Sequence, residues 1–446
     1  MGSRLAFGGG TERPGSEEEL FVAVSVTLSG ETPSPGAADE LASLVRTAGG
    51  RVVATVSQNR AFPDSSTFVG KGKLEELKAS VEACGVTSVV FDHNLAPAQV
   101  SRLEEAVGCK VLDRTELIMS IFARQARTSE SKLQVELAQL RYALPRLSGM
   151  WHHLSRLGGG IGTRGPGETQ LEVDKRKARA RIRVLEKELE RIAGRRDRLS
   201  RRRSDVFNVA LTGYTNTGKS TLLNSICGSE AYSADKLFAT LDSTTRRLDS
   251  PGGGTVFSDT VGFIDRLPEE LIASFYSTLS VVREADLLLL VGDASHPCRD
   301  LQTESVRATL ERIGAGGVPR LQVWNKMDIV SPDSAPVGGI LVSALTGAGL
   351  PDLLAAVECE RRSRLDWFRL TLSGSDGRLE NWLHENCVME SFERAGEGTR
   401  TLAGALMGIG SVRERLADED PSSWTLEPVP WADVSCSSES GRCRNG

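Results

Sequence analysis

With 446 residues, 39% hydrophobic and 25% charged, the chain has the composition of a globular protein and a length that suggests roughly two to four domains. No run of about 18 apolar residues occurs, which excludes a transmembrane helix, and the acidic N-terminal residues lack the apolar core of a secretion signal, so we expect a cytoplasmic protein. The net charge is −5, yet residues 175–203 hold 14 Lys and Arg against 4 Asp and Glu, and such a basic segment on an acidic chain indicates a polyanionic partner.

The N-terminal part of the chain begins with a segment rich in Gly, Pro, Ser and acids, and residues 1–17 are expected to be a disordered lead. Residues 18–114 alternate between β-branched runs and helical patterns, the runs at 21–28, 51–56 and 87–91 and the helices at 37–48, 71–84 and 98–107. This alternation predicts a small α/β domain with a mostly parallel sheet.

Residues 115–204 carry helical patterns without strands. Helices are predicted at 116–126 and 130–144, and a glycine-rich loop follows at 158–170. A nearly heptad apolar stripe then comprises Leu171, Ala178, Ile182, Leu185, Leu189, Ile192 and Leu199. We expect two long helices in an antiparallel hairpin, with the glycine-rich loop at its tip and the basic residues mostly outside the stripe.

A second alternation of strands and helices occupies residues 205–362. Its apolar strands mostly end in polar residues, as ligand sites at the carboxyl ends of parallel strands require, and they lie at 206–211, 254–259, 287–293, 321–326 and 339–344. Residues 363–417 predict a small α+β unit. Residues 418–446, with Ser, Pro and acids, predict a loosely ordered tail.

The eight cysteines of the chain are scattered, without any Cys-x-x-Cys pair, and the five histidines do not join them in a ligand pattern. This arrangement favours free thiols in a reducing compartment.

A phosphate-binding motif joins the first strand of the second alternation to a helix. The motif has the form G-x-x-x-x-G-K-[ST] and comprises Gly213, Tyr214, Thr215, Asn216, Thr217, Gly218, Lys219 and Ser220. In such a loop the backbone N–H groups surround phosphate, Lys219 brings a positive charge to the β- and γ-phosphates, and Ser220 offers a hydroxyl to Mg²⁺.

Three further motifs follow in the order that a GTPase needs: Asp259, Thr260, Val261 and Gly262; Asn325, Lys326, Met327 and Asp328; and Ser343, Ala344 and Leu345. Asp259 can hold Mg²⁺ through water, and the Gly262 N–H can meet the γ-phosphate. The Asp328 carboxylate can accept both N1–H and the 2-amino group of guanine, whereas adenine would leave it unpaired. The Ala344 N–H can donate to guanine O6. The four motifs together predict GTP, rather than ATP, as the substrate.

Between these motifs lies a candidate switch segment that comprises Phe238, Ala239, Thr240, Leu241 and Asp242. The Thr240 hydroxyl would reach Mg²⁺ only when the γ-phosphate is bound, although a simple hydroxyl-rich loop is the alternative, since several hydroxyls compete there. The predicted metal ligands are therefore Ser220 and Thr240, and the predicted catalytic residues are Lys219, Thr240 and Gly262.

Two residues bear on the rate of hydrolysis. Phe263 follows Gly262 at the place where Ras-like enzymes carry a water-orienting Gln, and a phenyl ring cannot orient water by hydrogen bonding. We therefore expect slow intrinsic hydrolysis that a partner or another group assists. Asn216 occupies a place in the phosphate loop where several assembly GTPases hold K⁺, which predicts stimulation by K⁺.

The segments at 213–224, 238–248, 259–264 and 325–328, with the glycine-rich segment 158–176 upstream, resemble the HflX family of translational GTPases. The first domain is similar to that family at 57–77 and 91–99, so the resemblance covers about residues 21–353. Ser243 stands where a Pro is usual in the family switch, and the C-terminal unit is only loosely similar.

The resemblance implies ribosome binding, chiefly to the large subunit and its rRNA, and some members of the family split stalled or idle ribosomes. It implies that residues 158–167 approach the peptidyl-transferase region and that the basic helix 175–203 lies against rRNA. For that helix, a solvated coiled-coil face is the alternative.

The predicted fold is thus an α/β P-loop GTPase domain preceded by a small α/β domain and a long antiparallel helical hairpin, and followed by a small α+β unit. The predicted function is Mg²⁺-dependent GTP hydrolysis by a monomeric, ribosome-binding protein without membrane contact, which dissociates ribosomes and uses hydrolysis for release. Two alternatives stay open: a GTP-gated RNA-binding factor in large-subunit assembly, and a P-loop kinase of small molecules, which the motif ending at Asp328 disfavours.

Overall fold

The computed structural model describes residues 18–30, 36–157, 170–200, 206–228, 237–238, 244–249, 254–265, 271, 274, 276–373, 377–395, 399–406, 409–417 and 423–430. The candidate switch residues Ala239, Thr240, Leu241 and Asp242 lie outside these ranges, as do Ser243 and the predicted hairpin tip at 158–167.

The first unit is a parallel sheet with helices on both faces. Its elements are β1 (Glu19–Leu28), α1 (Ala37–Thr47), β2 (Gly50–Arg60), α2 (Lys71–Cys84), β3 (Ser88–Phe91), α3 (Pro97–Val107), β4 (Lys110–Leu112) and α4 (Arg114–Gln125). The strand order is β2-β1-β3-β4, and all paired strands are parallel. The predicted alternation is confirmed. Because successive side chains of a strand point to opposite faces, Phe21 and Ala23 pack toward α1 and α4, whereas Val22 and Val24 pack toward α2 and α3.

Helix α4 belongs to this first unit, although the sequence placed it at the start of the helical region. Its apolar face, which includes Leu117, Ile118 and Phe122, is buried against α1 and the sheet. The helix also begins with a side-chain cap, since the carboxylate of Asp113 accepts the N–H of Glu116 at 2.8 Å.

Two long helices form the hairpin, α5 (Ser129–Leu157) and α6 (Gln170–Ser200). Helix α5 continues to Leu157 through Pro145, past the predicted end at residue 144. Leu185 of α6 is fully buried, and two ion pairs, Arg141–Glu186 and Arg181–Glu136, join the two helices at 2.7 Å. No helix in the described ranges combines the length and the apolar character that a membrane span needs.

The base of the hairpin is fixed to the first unit by Asp113, whose side chain is 1% exposed. Its carboxylate accepts the Leu95 N–H at 3.2 Å, Arg146 Nη2 at 2.9 Å and the Tyr142 hydroxyl. A buried carboxylate with this many donors holds α5 in one orientation, because each donor would lose a charged partner if the helix moved.

The third unit is a mixed sheet built on the second predicted alternation. Its elements are β5 (Val206–Gly213), α7 (Lys219–Cys227), β6 (Thr244–Leu248), β7 (Gly254–Asp259), α8 (Tyr276–Arg283), β8 (Leu287–Asp293), α9 (Arg299–Arg312), β9 (Arg320–Asn325), β10 (Ile340–Leu341) and α10 (Leu350–Arg362). The strand order is β10-β9-β8-β5-β7-β6, with β6 antiparallel to β7 and the other pairs parallel. Every residue of β8 is buried, as its continuous apolar run predicts.

The last unit is an antiparallel sheet covered on one face by two helices. Its elements are β11 (Asp366–Ser373), α11 (Gly377–Asn386), β12 (Val388–Ala395), β13 (Thr399–Leu406), α12 (Gly410–Leu416) and β14 (Trp424–Pro428), with the strand order β12-β13-β11-β14. The prediction of a loose tail from residue 418 is wrong for β14, which pairs with β11 and places Leu426 opposite Leu370. The pairing partly buries Trp424 and Leu426, two apolar residues that stand among Ser, Pro and acidic residues in the sequence.

Candidate functional site

The predicted nucleotide motifs meet at the carboxyl ends of the parallel strands. The phosphate loop follows β5, Asp259 ends β7, Asn325 ends β9 and Ser343 follows β10. This is the edge at which open α/β sheets bind ligands.

The phosphate loop turns sharply before α7 begins. Gly218 has a φ of +85° and starts the helix, and Asn216 also adopts a positive φ, +61°. A Cβ atom on Gly218 would lie 2.3 Å from Asn325 Nδ2, so a side chain is excluded here by contact as well as by backbone conformation. The helix N-terminus and successive N–H groups therefore converge on the space enclosed by the loop.

The charge of Lys219 lies inside this loop. Its Nζ atom donates to the Tyr214 carbonyl oxygen at 2.7 Å and to the Gly213 carbonyl oxygen at 3.2 Å. Burial lowers the pKa of Lys219 to about 8, while Asp259 acts in the opposite direction. A buried ammonium bound only to carbonyl oxygens is suited to exchange them for a phosphate.

Ser220 and Asp259 provide oxygen atoms beside the loop. The Ser220 hydroxyl donates to Asp259 Oδ2 at 2.5 Å, and Asp259 is 1% exposed. A hydroxyl and a carboxylate in contact are the hard oxygen donors that Mg²⁺ takes together with nucleotide phosphates. These residues fit the ion that the sequence predicts, although no group of three or more His, Cys, Asp or Glu side chains in the described residues is arranged as a metal site by itself.

Gly262 brings the backbone after β7 close to the loop. A Cβ atom there would lie 3.0 Å from Thr215 Cα and 3.1 Å from Lys219 Nζ. A side chain at this position would therefore crowd both the phosphate-loop backbone and the ammonium group.

The side chain of Phe263 is buried beside the phosphate loop. It is 2% exposed and packs in a cluster with Tyr214 and Phe238. Its backbone binds the phosphate loop, since Phe263 N–H donates to Gly213 O at 3.0 Å and Phe263 O accepts Thr215 N–H at 2.8 Å. The side chain at this place thus contributes packing and has no polar atom with which to orient water.

Asn325 links the phosphate loop to the predicted base-binding loop. Its Nδ2 donates to the Thr217 carbonyl oxygen at 2.8 Å, and its Oδ1 accepts the Ala344 N–H at 2.9 Å. The Ala344 N–H, which the sequence assigned to guanine O6, is therefore engaged by Asn325 in this structure.

Asp328 is exposed and held by one side-chain contact, from the hydroxyl of the buried Ser343 to Asp328 Oδ1 at 2.6 Å. Lys326 adopts a φ of +65° and pairs with Asp293 Oδ2 at 2.7 Å. Burial opposes ionisation of Asp293, but hydrogen bonds from Lys326 and Ser295 hold its pKa below the usual range. The Ser343 hydroxyl thus holds one oxygen of an exposed carboxylate, and the Asp293 pair holds the residue two positions before it in the chain.

Two contributors to the site were missed by the sequence reasoning. Asp293 carried a signal, because it is a polar residue at the end of the apolar strand β8. Glu40 of the first unit carried none: its Oε2 atom accepts the Tyr214 hydroxyl at 2.6 Å, across 174 residues of chain.

Three family models match consecutive parts of the chain: a GTP-binding GTPase N-terminal region at residues 36–123, a GTP-binding GTPase middle region at 125–203, and a 50S ribosome-binding GTPase at 208–326. The chain is 42% identical over 402 residues to GTPase HflX of Caldanaerobacter subterraneus subsp. tengcongensis, which covers 88% of this chain and 93% of that protein. It is 44% identical over 394 residues to GTPase HflX of Escherichia coli K12, covering 86% and 92% of the two chains.

The chain belongs to the HflX family of GTPases. The resemblance seen in the sequence is thereby confirmed, and so are GTP hydrolysis and the fold of a P-loop GTPase domain preceded by N-terminal and middle regions. HflX proteins are ribosome-associated GTPases as a family.

Among solved structures, a crystal structure of SsGBP with GDP is 25% identical, with a TM-score of 0.43, and the match covers 76% of this HflX-family chain and 97% of the other. A GTP-binding protein from Sulfolobus solfataricus with GDP is 24% identical, with a TM-score of 0.41, and covers 76% and 98%.

Proposed function

We propose that this GTPase binds the large ribosomal subunit through its hairpin, dissociates stalled or idle ribosomes and uses GTP hydrolysis for its release, acting as a monomer in the cytoplasm. The observation that carries the proposal is a basic helix on the same chain as the GTPase site. Exposed basic residues of α6, among them Arg176, Lys177, Arg179 and Arg183, lie along one helix of an acidic protein. Three of these residues, Arg176, Arg179 and Arg183, line a shallow pocket on α6 together with Lys175 and Glu172. Such a surface suits the phosphates of rRNA, and the matching 50S ribosome-binding family model favours the large subunit.

In the proposed site, the phosphate loop and Lys219 bind the phosphates, Ser220 and Thr240 ligate Mg²⁺, and Gly262 contacts the γ-phosphate. Asn325 orders the base-binding loop, and Asp328 with the turn at Ser343, Ala344 and Leu345 selects guanine. Bound Mg²⁺ supplies electrostatic stabilisation of the charge that develops on the phosphates. In this proposal the chain's own residues position the phosphates. Its support is that Lys219 and Asp259 are buried and that the backbone at Gly262 comes close to Lys219 Nζ.

Because the buried Phe263 side chain offers no polar atom, intrinsic hydrolysis is slow in this proposal and an outside group orients the water. Asn216, with its positive φ in the loop, is the proposed contact for K⁺ beside the phosphates.

The test is GTP hydrolysis by the purified protein in potassium buffer, alone and with large ribosomal subunits. We expect the subunits to raise kcat at least about tenfold, since an orienting group or charge is worth about that or more. No stimulation would remove the ribosome from the proposal and leave the GTPase activity intact.

The basic helix is tested by charge reversal. Arg179→Glu with Arg183→Glu on α6 should abolish stimulation and reduce its salt dependence, while the matched pair Arg307→Glu with Arg312→Glu on α9 should not. Deletion of residues 158–167 should spare GTP binding but remove ribosome dissociation. Unchanged dissociation by the deletion variant would refute the role of the hairpin tip, and accumulation of subunit precursors after depletion, with normal splitting, would favour large-subunit assembly instead.

A further inference from the structure

The first unit packs against the phosphate loop and against the segments around Phe238 and Phe263 of the GTPase domain. One hydrophobic cluster contains residues of both, with Leu41, Leu44, Leu117, Ile118 and Phe122 from the first unit and Tyr214, Phe238, Val261, Phe263 and Ile264 from the GTPase domain. The contact between the two is thus a shared core. Interfaces between domains that move independently are usually more polar than this one. Because the core is shared, the position of the first unit depends on the arrangement of these GTPase residues.

The N-terminal end of α4 joins the GTPase domain through a closed ring of hydrogen bonds. Arg114 Nη2 donates to Glu40 and to the Asp265 carbonyl oxygen at 3.2 Å. The Tyr214 hydroxyl donates to Glu40 Oε2 at 2.6 Å and accepts the Asp265 N–H at 2.9 Å. The ring therefore ties Arg114 and Glu40 to the phosphate loop through Tyr214, and to the segment just after Gly262 through both backbone groups of Asp265.

The charges around the ring keep its donors and acceptors fixed. Arg114 is 4% exposed, and its Nη1 atom donates to Asp92 Oδ1 at 2.5 Å. Burial opposes its charge, but Asp92 and Glu40 hold the pKa of Arg114 above its usual value. Burial and the Glu40 carboxylate raise the pKa of Tyr214, so its hydroxyl stays protonated and donates to Glu40. A lysine at position 114 would keep the charge but lose the planar fork that serves several acceptors at once.

The C-terminal end of α4 contacts the start of the candidate switch segment. The rings of Phe122 and Phe238 pack edge to face, with centroids 4.7 Å apart and planes at 78°. Gln125 Nε2 donates to the Leu237 carbonyl oxygen at 3.3 Å. Phe238 is 2% exposed and has a φ of +56°, which is a strained conformation for a bulky side chain that persists only where surrounding contacts impose it.

We propose that α4 responds to the bound nucleotide by contacting two segments of the GTPase domain, the one that follows Gly262 and the one that begins at Phe238. Arg114 and Phe122 are the positioning residues, which hold Asp265 and Phe238. The helix has 12 residues and so spans about 18 Å at 1.5 Å per residue, which lets one rigid element contact both segments. In this proposal, loading with GTP shifts the backbone at Gly262 and at residues 237–238, where α4 makes its contacts. Both ends of α4 then gain or lose contacts together, and the docking of the first unit follows the nucleotide state.

The inference rests on the proposed switch role of the Thr240 segment and not on ribosome binding. Its test uses the full-length protein without ribosomes, in Mg²⁺ and K⁺, and measures two quantities: the ratio of the dissociation constants for GDP and a non-hydrolysable GTP analogue, and the amide exchange of residues 117–125 with each nucleotide. The variants are Arg114→Lys and Phe122→Leu.

Two matched controls make the same substitutions elsewhere in the first unit. Arg124→Lys lies on the same helix, but Arg124 donates to the Ala48 carbonyl oxygen within the first unit. Phe91→Leu removes a buried ring that packs edge to face on Phe68, at 6.3 Å, also within the first unit. If Arg114→Lys does not fold, Tyr214→Phe removes one hydroxyl from the same ring.

We expect the exchange of the α4 amides to differ about tenfold or more between the two nucleotides in the unchanged protein. Arg114→Lys and Phe122→Leu should erase that difference and change the affinity ratio by about fivefold or more, the size of a typical coupling between sites, while the controls stay within about twofold. Equal α4 exchange with both nucleotides, or an equal shift in the controls, would overturn the proposal. Failure of the unchanged protein to bind either nucleotide would count against the proposed nucleotide site itself.

Discussion

Asn325→Ala tests how much of the nucleotide site is organised before any ligand binds. Asn325 is 2% exposed, and its amide satisfies the Thr217 carbonyl oxygen and the Ala344 N–H. Alanine leaves both backbone groups buried without their partner. At about 1–3 kcal/mol for each buried group left unsatisfied, the local free energy of opening should fall by about 2–6 kcal/mol.

Nucleotide affinity should fall with it, because GTP must then order the phosphate loop against the base-binding loop. A cost of about 2 kcal/mol corresponds to roughly thirtyfold weaker binding. Native-state hydrogen exchange of the β9 amides measures the opening free energy, and titration with a fluorescent GDP analogue measures the nucleotide affinity. Asn386→Ala is the control, because that amide is exposed and donates to one carbonyl oxygen of its own helix, so a change within about 0.5 kcal/mol is expected. An Asn325→Ala change no larger than this control would refute the reasoning.

Three further predictions concern the same site. Burial lowers the pKa of Lys219 to about 8 in the free protein, and a bound phosphate raises that pKa. GTP affinity should therefore be constant below pH 8 and weaken above it by up to about tenfold per pH unit. A titration in which affinity is flat from pH 7 to 9.5 would contradict this. Asp328→Asn should weaken GTP binding at least about tenfold and favour xanthosine triphosphate, whose ring offers an acceptor where guanine offers the 2-amino donor, and competition between the two nucleotides measures the preference. If Asn216 contacts K⁺, hydrolysis in KCl should exceed that in NaCl, and equal rates would remove the ion from the proposal.

The sequence predicts most of the GTPase domain because its signals are local. The five apolar residues at the start of β8 are buried on both faces of the sheet, and a continuous apolar run is the pattern that such a strand requires. Gly218, Lys219 and Ser220 are adjacent in the chain, so the geometry of one turn fixes their relation. The four motifs needed only a parallel sheet to bring them to one edge.

The contact between the first unit and the GTPase domain could not be predicted in this way. Arg114 contacts Asp265 across 151 residues, and Glu40 contacts Tyr214 across 174. In the sequence, Glu40 is an acidic residue in the first turn of a helix, where helix-dipole stabilisation is sufficient explanation. Phe122 fits the core of its own unit equally well. The contribution of such residues to the contact between the two units can be recognised only when the fold shows their partners.

Two adjacent residues at the start of α4 connect the hairpin to the nucleotide site. Asp113 binds Tyr142 and Arg146 of α5, and the next residue, Arg114, binds Glu40 and Asp265. One peptide unit separates them, so a movement of the first turn of α4 that changes the Arg114 contacts also displaces the carboxylate that orients α5. Because packed interiors have discrete arrangements and do not deform continuously, such a movement would reorient the base of the hairpin as a whole. A path of contacts therefore runs from the phosphate loop, through Tyr214, Glu40, Arg114 and Asp113, to α5, the hairpin helix that pairs with the basic helix α6.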